Sequence, residues 1–315
     1  MYFYSAKKYF SFYLTKSKTL LKRLFMQKIS QVVTYFIVVV VLFSCKKEET
    51  SSNTAIPTTE QTILNVSYGS DPLQKMDVYL PANRTDTGTK CIILIHGGGW
   101  VAGDKSEFTD VVNSFKTALP NYAIFNINYR LAAIPSTNIW PTQINDTRAA
   151  FDFIVSKAGE YKFNANKIAL FGASAGAHLA LLQGYQYNTN NRVKAIVDLF
   201  GPTDLIDLYN NPSNPSYPSL LAMFLSGTPT TNNAMYRSAS PIFSITAASP
   251  PTIIFHGTAD AVVPISHSSS LNTALGNANV AKQYIVYNGE GHGWSGANMQ
   301  DTYTKTIAFI NLYNR

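Results

Sequence analysis

The sequence predicts an α/β protein: a mostly parallel eight-stranded sheet flanked by helices. Three observations predict it. Short runs rich in Val, Ile, Phe and Tyr alternate with helical patterns, the rhythm of a sheet covered on both faces. Two of the intervening segments, 141–157 and 174–182, read as helices that pack on such a sheet. About 255 residues remain once the amino-terminal region is set aside, which suits one sizeable domain.

The chain opens on an export segment. Residues 31–43, QVVTYFIVVVVLF, follow Lys22, Arg23 and Lys28 and end at Ser44 before Cys45. A basic start, an apolar stretch and a small residue make the layout of a secretory signal peptide. These thirteen residues fall short of the roughly 20 that a spanning helix needs. Leu42-Phe43-Ser44-Cys45 resembles a bacterial lipobox, which implies lipidation of Cys45. Residues 1–44 are therefore the signal region, and a start at Met26 also leaves a complete signal. Residues 45–60, polar and interrupted by Pro57, read as a flexible tether. The expected location is a lipid-anchored position at the outer membrane, facing periplasm or cell surface.

Charge follows the same division. Residues 1–44 hold seven Lys and Arg and no acidic residue; the whole chain has 25 basic and 18 acidic, so the remainder carries 18 of each. The basic balance belongs to the export signal, and nucleic acid is excluded as a partner because the domain lacks a basic footprint. Cys91 is left without an intrachain partner and heads an apolar strand, where it packs.

Strands are expected near 62–68, 75–80, 90–96, 122–128, 167–171, 194–200, 251–256 and 282–287. In the helix at 141–157, Pro141 suits the first turn and Ile144, Ala150, Phe151 and Ile154 share a face. Sites in such folds gather at the carboxyl ends of the strands. Four loops there carry the chemistry.

The fifth strand runs into Gly172-Ala173-Ser174-Ala175-Gly176. A Gly-x-Ser-x-Gly pattern arises by chance in roughly one chain in ten at ordinary glycine usage, and Ser174 alone could be an N-cap. Between a strand and a helix, however, it is the layout of a nucleophile elbow, in which strain pushes the hydroxyl out of the sheet. The third strand ends in His96-Gly97-Gly98-Gly99-Trp100, and successive glycines make sense where backbone approaches a ligand closely. The amides of Gly98, Gly99 and Ala175 are candidates for an oxyanion hole, with His96 holding the loop in place. Asp260 follows the seventh strand and His292 the eighth. The chain order Ser174, Asp260, His292 is the one in which strand-to-helix serine hydrolases present their triad.

These segments resemble the α/β-hydrolase esterases and lipases with an HGGGW oxyanion motif, in particular secreted bacterial carboxylesterases of the feruloyl and acetyl-xylan esterase type. The marks are HGGGW at 96–100, NYRLA at 128–132, WPTQINDTRAAFDFI at 140–154, GASAG at 172–176, SPI at 240–242, HGTADAVVP at 256–264 and GHGW at 291–294. The resemblance implies the α/β-hydrolase fold across 61–315, with Ser174 as nucleophile, His292 as general base and acid, and Asp260 as its orienter. It also implies acetyl or hydroxycinnamoyl esters on polysaccharides as substrates. Ala173 departs from a position that often bears a larger or charged side chain.

Substrate contacts are expected from Trp100, Trp140 and Trp294 at the mouth of the site. The segment 201–240, read as a small lid or rim, adds Tyr209 and Phe224. No metal or organic cofactor is expected, since His96, His178, His256, His267 and His292 lack a ligand spacing. The chain is expected to act as a monomer on a small-molecule or polysaccharide-linked ester. A serine exopeptidase, an amidase or formamidase, and a non-catalytic binding lipoprotein are the alternative readings.

Overall fold

A computed structural model describes residues 58–315. The signal region, Cys45 and most of the tether lie outside these residues. Thr58 and Thr59 already pack on the domain: Arg84 donates from its backbone to Thr58 Oγ1 at 2.9 Å and from Nη1 to the Thr59 carbonyl at 2.5 Å. Both residues fall within the 45–60 segment expected as tether.

Eight strands form one sheet: β1 Gln61–Ser67, β2 Lys75–Leu80, β3 Lys90–Ile95, β4 Tyr122–Ile127, β5 Ile168–Ala173, β6 Val193–Leu199, β7 Thr252–Gly257 and β8 Lys282–Tyr287. Their spatial order is β1-β2-β4-β3-β5-β6-β7-β8. β1 and β2 pair antiparallel, as do β2 and β4, and every later pairing is parallel. The helices are α1 Thr109–Ala118, α2 Thr142–Ser156, α3 Ala158–Tyr161, α4 Ala175–Tyr185, α5 Leu205–Asn210, α6 Tyr217–Phe224, α7 Asn233–Ser238, α8 Ser266–Asn277 and α9 Gly296–Tyr313. This is the α/β-hydrolase architecture that the sequence predicts, and each strand lies within two residues of its expected bounds.

The central strands are apolar because both faces are covered. On β3, Cys91, Ile93 and Ile95 join one buried cluster with Ile144, Ile154 and Leu179 of α2 and α4. Ile92 and Leu94 join another with Phe115 of α1 and Phe309 of α9. All eleven residues of α4 are buried, so this helix has no solvent-exposed face. The segment 201–240 is not a structureless loop: it carries α5, α6 and α7, helices too short for hydrophobic periodicity to register. Among the described residues, no helix is long and apolar enough to cross a membrane.

Candidate active site

The site begins at the turn between β5 and α4. Ser174 has φ 54° and ψ −122°, a left-handed conformation that costs a side-chain-bearing residue about 1–3 kcal/mol. Its surroundings hold it there. Its amide donates to the Leu199 carbonyl of β6 at 2.8 Å, and its carbonyl accepts from the His178 amide at 3.0 Å. Gly176 lets α4 start hard against β3: a Cβ there would lie 2.0 Å from the Ile95 carbonyl oxygen. Gly176→Ala must push α4 off the sheet, and a loss of about 1–3 kcal/mol is expected. A urea unfolding curve measures it, as a lower midpoint at unchanged slope.

The glycine loop passes directly over this elbow. A Cβ on Gly97 would stand 3.3 Å from Ser174 Cβ, and one on Gly98, where φ is 101°, would meet the Ala102 carbonyl oxygen at 2.0 Å. The loop is held from below. The His96 ring stacks on Tyr129 with centroids 4.4 Å apart, and His96 Nδ1 donates to the Gly97 carbonyl at 2.8 Å. Tyr129 Oη donates to the neighbouring carbonyls of His96 and Gly97, at 3.1 and 3.0 Å. With these carbonyls engaged, the amides of Gly98, Gly99 and Ala175 donate to no acceptor among the described residues.

Two loops at the far side are stitched together by backbone. Thr258 donates to the Tyr287 carbonyl at 3.0 Å and Ala259 to the Glu290 carbonyl at 2.8 Å. This brings Asp260, after β7, beside His292, after β8. His292 Nδ1 lies 2.7 Å from Asp260 Oδ2, and His292 Nε2 lies 2.9 Å from Ser174 Oγ. A carboxylate only accepts, so the imidazole proton sits on Nδ1 and Nε2 is free to accept from the serine hydroxyl. Burial pushes the pKa of Asp260 up. Hydrogen bonds from His256 and His292, the charge of His292 and the Val262 amide outweigh that, and hold the carboxyl well below the ordinary carboxylate range. The three residues that the sequence singled out thus meet, from loops 86 and 32 positions apart, in one hydrogen-bonded chain.

The aromatic residues are placed differently from the expectation of an open rim. Trp100 is 1% exposed and Phe224 0%, and Trp140 and Trp294 are buried as well. Trp100 stacks on Phe224 at 5.1 Å and donates from Nε1 to His178 Nδ1 at 3.2 Å. His178 in turn donates from Nε2 to the Ala239 carbonyl at 2.6 Å, and burial lowers its pKa to about 4, so the ring is neutral. The Trp140 amide donates to the Phe224 carbonyl at 3.2 Å. Trp100, Trp140 and Phe224 therefore pin the 201–240 segment to the glycine loop and to α4. Trp294 donates to Thr302 Oγ1 at 2.8 Å and packs under Phe200. Tyr209 is half-buried, edge-on to Tyr236. A buried indole needs a partner for its N–H, and for Trp100 and Trp294 that partner is internal.

Two further aromatic side chains belong to the surroundings of His292 and Asp260. Phe200, at φ 45°, sets its ring 4.5 Å from that of His292. Tyr217, half-buried at the first turn of α6, has its pKa raised by burial first and then by the charge of Asp260. Tyr217 was legible as part of the 201–240 segment; Phe200 had no signal beyond its place after β6. Among the described residues, no group of three or more His, Cys, Asp or Glu side chains could hold a metal ion.

Known esterases are similar to this chain. The chain is 29% identical over 269 residues to esterase LipC of Mycobacterium tuberculosis, covering 79% of this chain and 65% of that protein. It is 29% identical over 235 residues to the probable carboxylic ester hydrolase LipM of the same organism, covering 71% and 53%. The chain thus spans between half and two-thirds of the length of these curated relatives. Among solved structures, a truncated form of a carbohydrate esterase from gut microbiota matches with TM-score 0.69 and 25% identity, over 82% of this chain and 97% of that one. A bifunctional GH43-CE protein of Bacteroides eggerthii matches with TM-score 0.70 and 29% identity, over 80% and 38%. The family model described as BD-FAE matches residues 76–275, a span that runs from β2 through the glycine loop, the elbow and Asp260 into α8. The chain belongs to the BD-FAE family.

Proposed function

We propose that the protein is a serine carboxylesterase that hydrolyses short-chain or carbohydrate-linked acyl esters, of acetyl or feruloyl type. The observation that carries this reading is the chain Asp260 Oδ2, His292 Nδ1, His292 Nε2, Ser174 Oγ, at 2.7 and 2.9 Å on a strained elbow. Relatives named as esterases and carbohydrate esterases support it.

In this mechanism Ser174 Oγ attacks the ester carbonyl carbon as His292 Nε2 takes its proton. The carbonyl oxygen becomes negative and is received by the free amides of Gly98, Gly99 and Ala175. The tetrahedral species collapses, the carbon–oxygen bond to the alcohol breaks, and His292 returns the proton to the leaving oxygen. Water then attacks the acyl-serine, again with His292 as base, and the acid departs. Asp260 keeps His292 in the tautomer that accepts at Nε2, and stabilises the imidazolium while it lasts.

The domain is formally neutral, so shape and stacking at the mouth of the site, not long-range charge, select the substrate. A panel on the purified protein tests the reading: acetyl, butyryl and palmitoyl nitrophenyl esters, methyl ferulate, acetylated xylan and an aminoacyl anilide. Short-chain esters are expected to be cleaved best, feruloyl and acetyl-sugar esters detectably, palmitate and anilide poorly. A dominant anilide activity would replace this reading by an exopeptidase or amidase. The same proposal makes the enzyme a monomeric lipoprotein anchored through Cys45; incorporation of labelled palmitate that is lost in Cys45→Ser checks the anchor.

A further inference from the structure

We infer that His256, braced by Ser268, is a positioning residue of the triad: it clamps the Asp260 turn and weakens the carboxylate as a base, so that His292 releases its proton more readily. The inference rests on the triad reading above and adds a second imidazole to it.

His256 is the penultimate residue of β7 and is wholly inaccessible. Its Nε2 donates to the Val263 carbonyl at 2.9 Å, and the same nitrogen lies 3.2 Å from Asp260 Oδ2. Both neighbours only accept, so the ring proton sits on Nε2. Nδ1 then accepts from the hydroxyl of Ser268, a buried residue of α8, at 2.7 Å. Ser268 therefore favours the tautomer that points a proton at the acid.

The Asp260 turn closes on itself through this ring. Asp260 Oδ1 accepts from the amides of Val262 and Val263 at 2.8 and 3.0 Å. The Val263 carbonyl is the acceptor of His256. One residue thus ties the carboxylate to the histidine, and the turn has no freedom to swing Oδ2 away from His292. A simple turn needs the two amides alone; a buried imidazole beside the carboxylate oxygen that holds His292 is a further device.

Electrostatics point the same way. Asp260 Oδ2 faces N–H groups of two imidazoles, from β7 and from the loop after β8. A carboxylate stabilised by two donors holds an imidazolium less tightly than one stabilised by a single donor. The other titratable groups facing His256 are His267 of α8 and Asp198 of β6. Among the described residues, Asp260 is the one acidic group within ion-pair distance of the His256 ring.

The test is the rate of Ser174 labelling by a fluorophosphonate between about pH 4 and pH 9, which follows the base form of His292 whatever the natural ester is. It uses the full-length protein and the variants His256→Phe, His256→Gln and Ser268→Ala. His256→Phe keeps a ring and loses the donor, so the more basic carboxylate is expected to move the acid limb up by about half to one pH unit. Ser268→Ala is expected to move it the same way by less, and His256→Gln, which keeps an N–H donor in reach, to restore most of the wild-type profile. KM for the best ester of the panel should stay within about twofold while kcat falls about tenfold in His256→Phe. Acid limbs of His256→Phe and Ser268→Ala that coincide with the wild type would overturn the inference. If His256→Phe does not fold, Ser268→Ala alone decides by the same criterion. An enzyme that labels normally but hydrolyses no ester of the panel overturns the esterase reading and leaves this comparison intact.

Discussion

Ser174→Ala is expected to lower turnover of an acetyl ester by about 10⁶-fold, the scale on which loss of the nucleophile disables such a site. The substitution removes one oxygen. Alanine keeps the Cβ, and the backbone bonds from Ser174 to Leu199 and His178 do not involve the hydroxyl. The strained φ of 54° is imposed by these bonds and by the close approach of α4 to β3, so the variant should fold with an unfolding midpoint near that of the wild type. Covalent labelling by a fluorophosphonate should vanish. What survives is the weak catalysis by the free amides of the glycine loop and Ala175, which stabilise negative oxygen without a nucleophile. Full turnover in a folded, unlabelled variant would remove Ser174 from the mechanism.

Asp260→Asn should cut kcat by about 10⁴-fold, as the equivalent change does in the serine proteases. The reason is a shortage of acceptors. Asp260 Oδ1 serves two amides, while Oδ2 serves His292 and stands beside His256. Asparagine brings one oxygen. If it faces the amides, its NH₂ faces His292 and drives the imidazole proton to Nε2, where the ring can no longer take the serine proton. If it faces the imidazoles, two backbone donors lose their partner and the turn loosens. The variant also alters stability against pH. A carboxyl held below its ordinary value stabilises the fold above about pH 4 and loses that contribution as the pH falls toward its depressed value. The wild type should therefore weaken on acidification over that window, and the asparagine variant should weaken less. Urea midpoints across that range measure it; identical slopes in both proteins would separate the carboxylate from stability.

The sequence by itself determined the architecture and the residues of the candidate site. Parallel strands covered on both faces are apolar at most positions, so β3 to β7 appear as short, mostly apolar runs along the chain. The elbow leaves its mark because α4 approaches β3 so closely that Gly176 admits no side chain, and Ser174, Asp260 and His292 each follow a strand that was already legible. The tertiary structure alone decided what the aromatic residues do. Hydrophobic pattern records that a side chain avoids water and is silent on whether it avoids it inside the core or against a ligand. Trp100, Trp140 and Phe224 find their partners in one another and in His178, while Phe200, unmarked in the chain, reaches His292. His256 falls in the same class: a histidine at a strand end is common, and its place beside Asp260 depends on a turn of four residues and on a serine from the next helix. Period and spacing are local quantities that the chain carries along its length, whereas the partner of a buried polar group is fixed only when distant segments close on it.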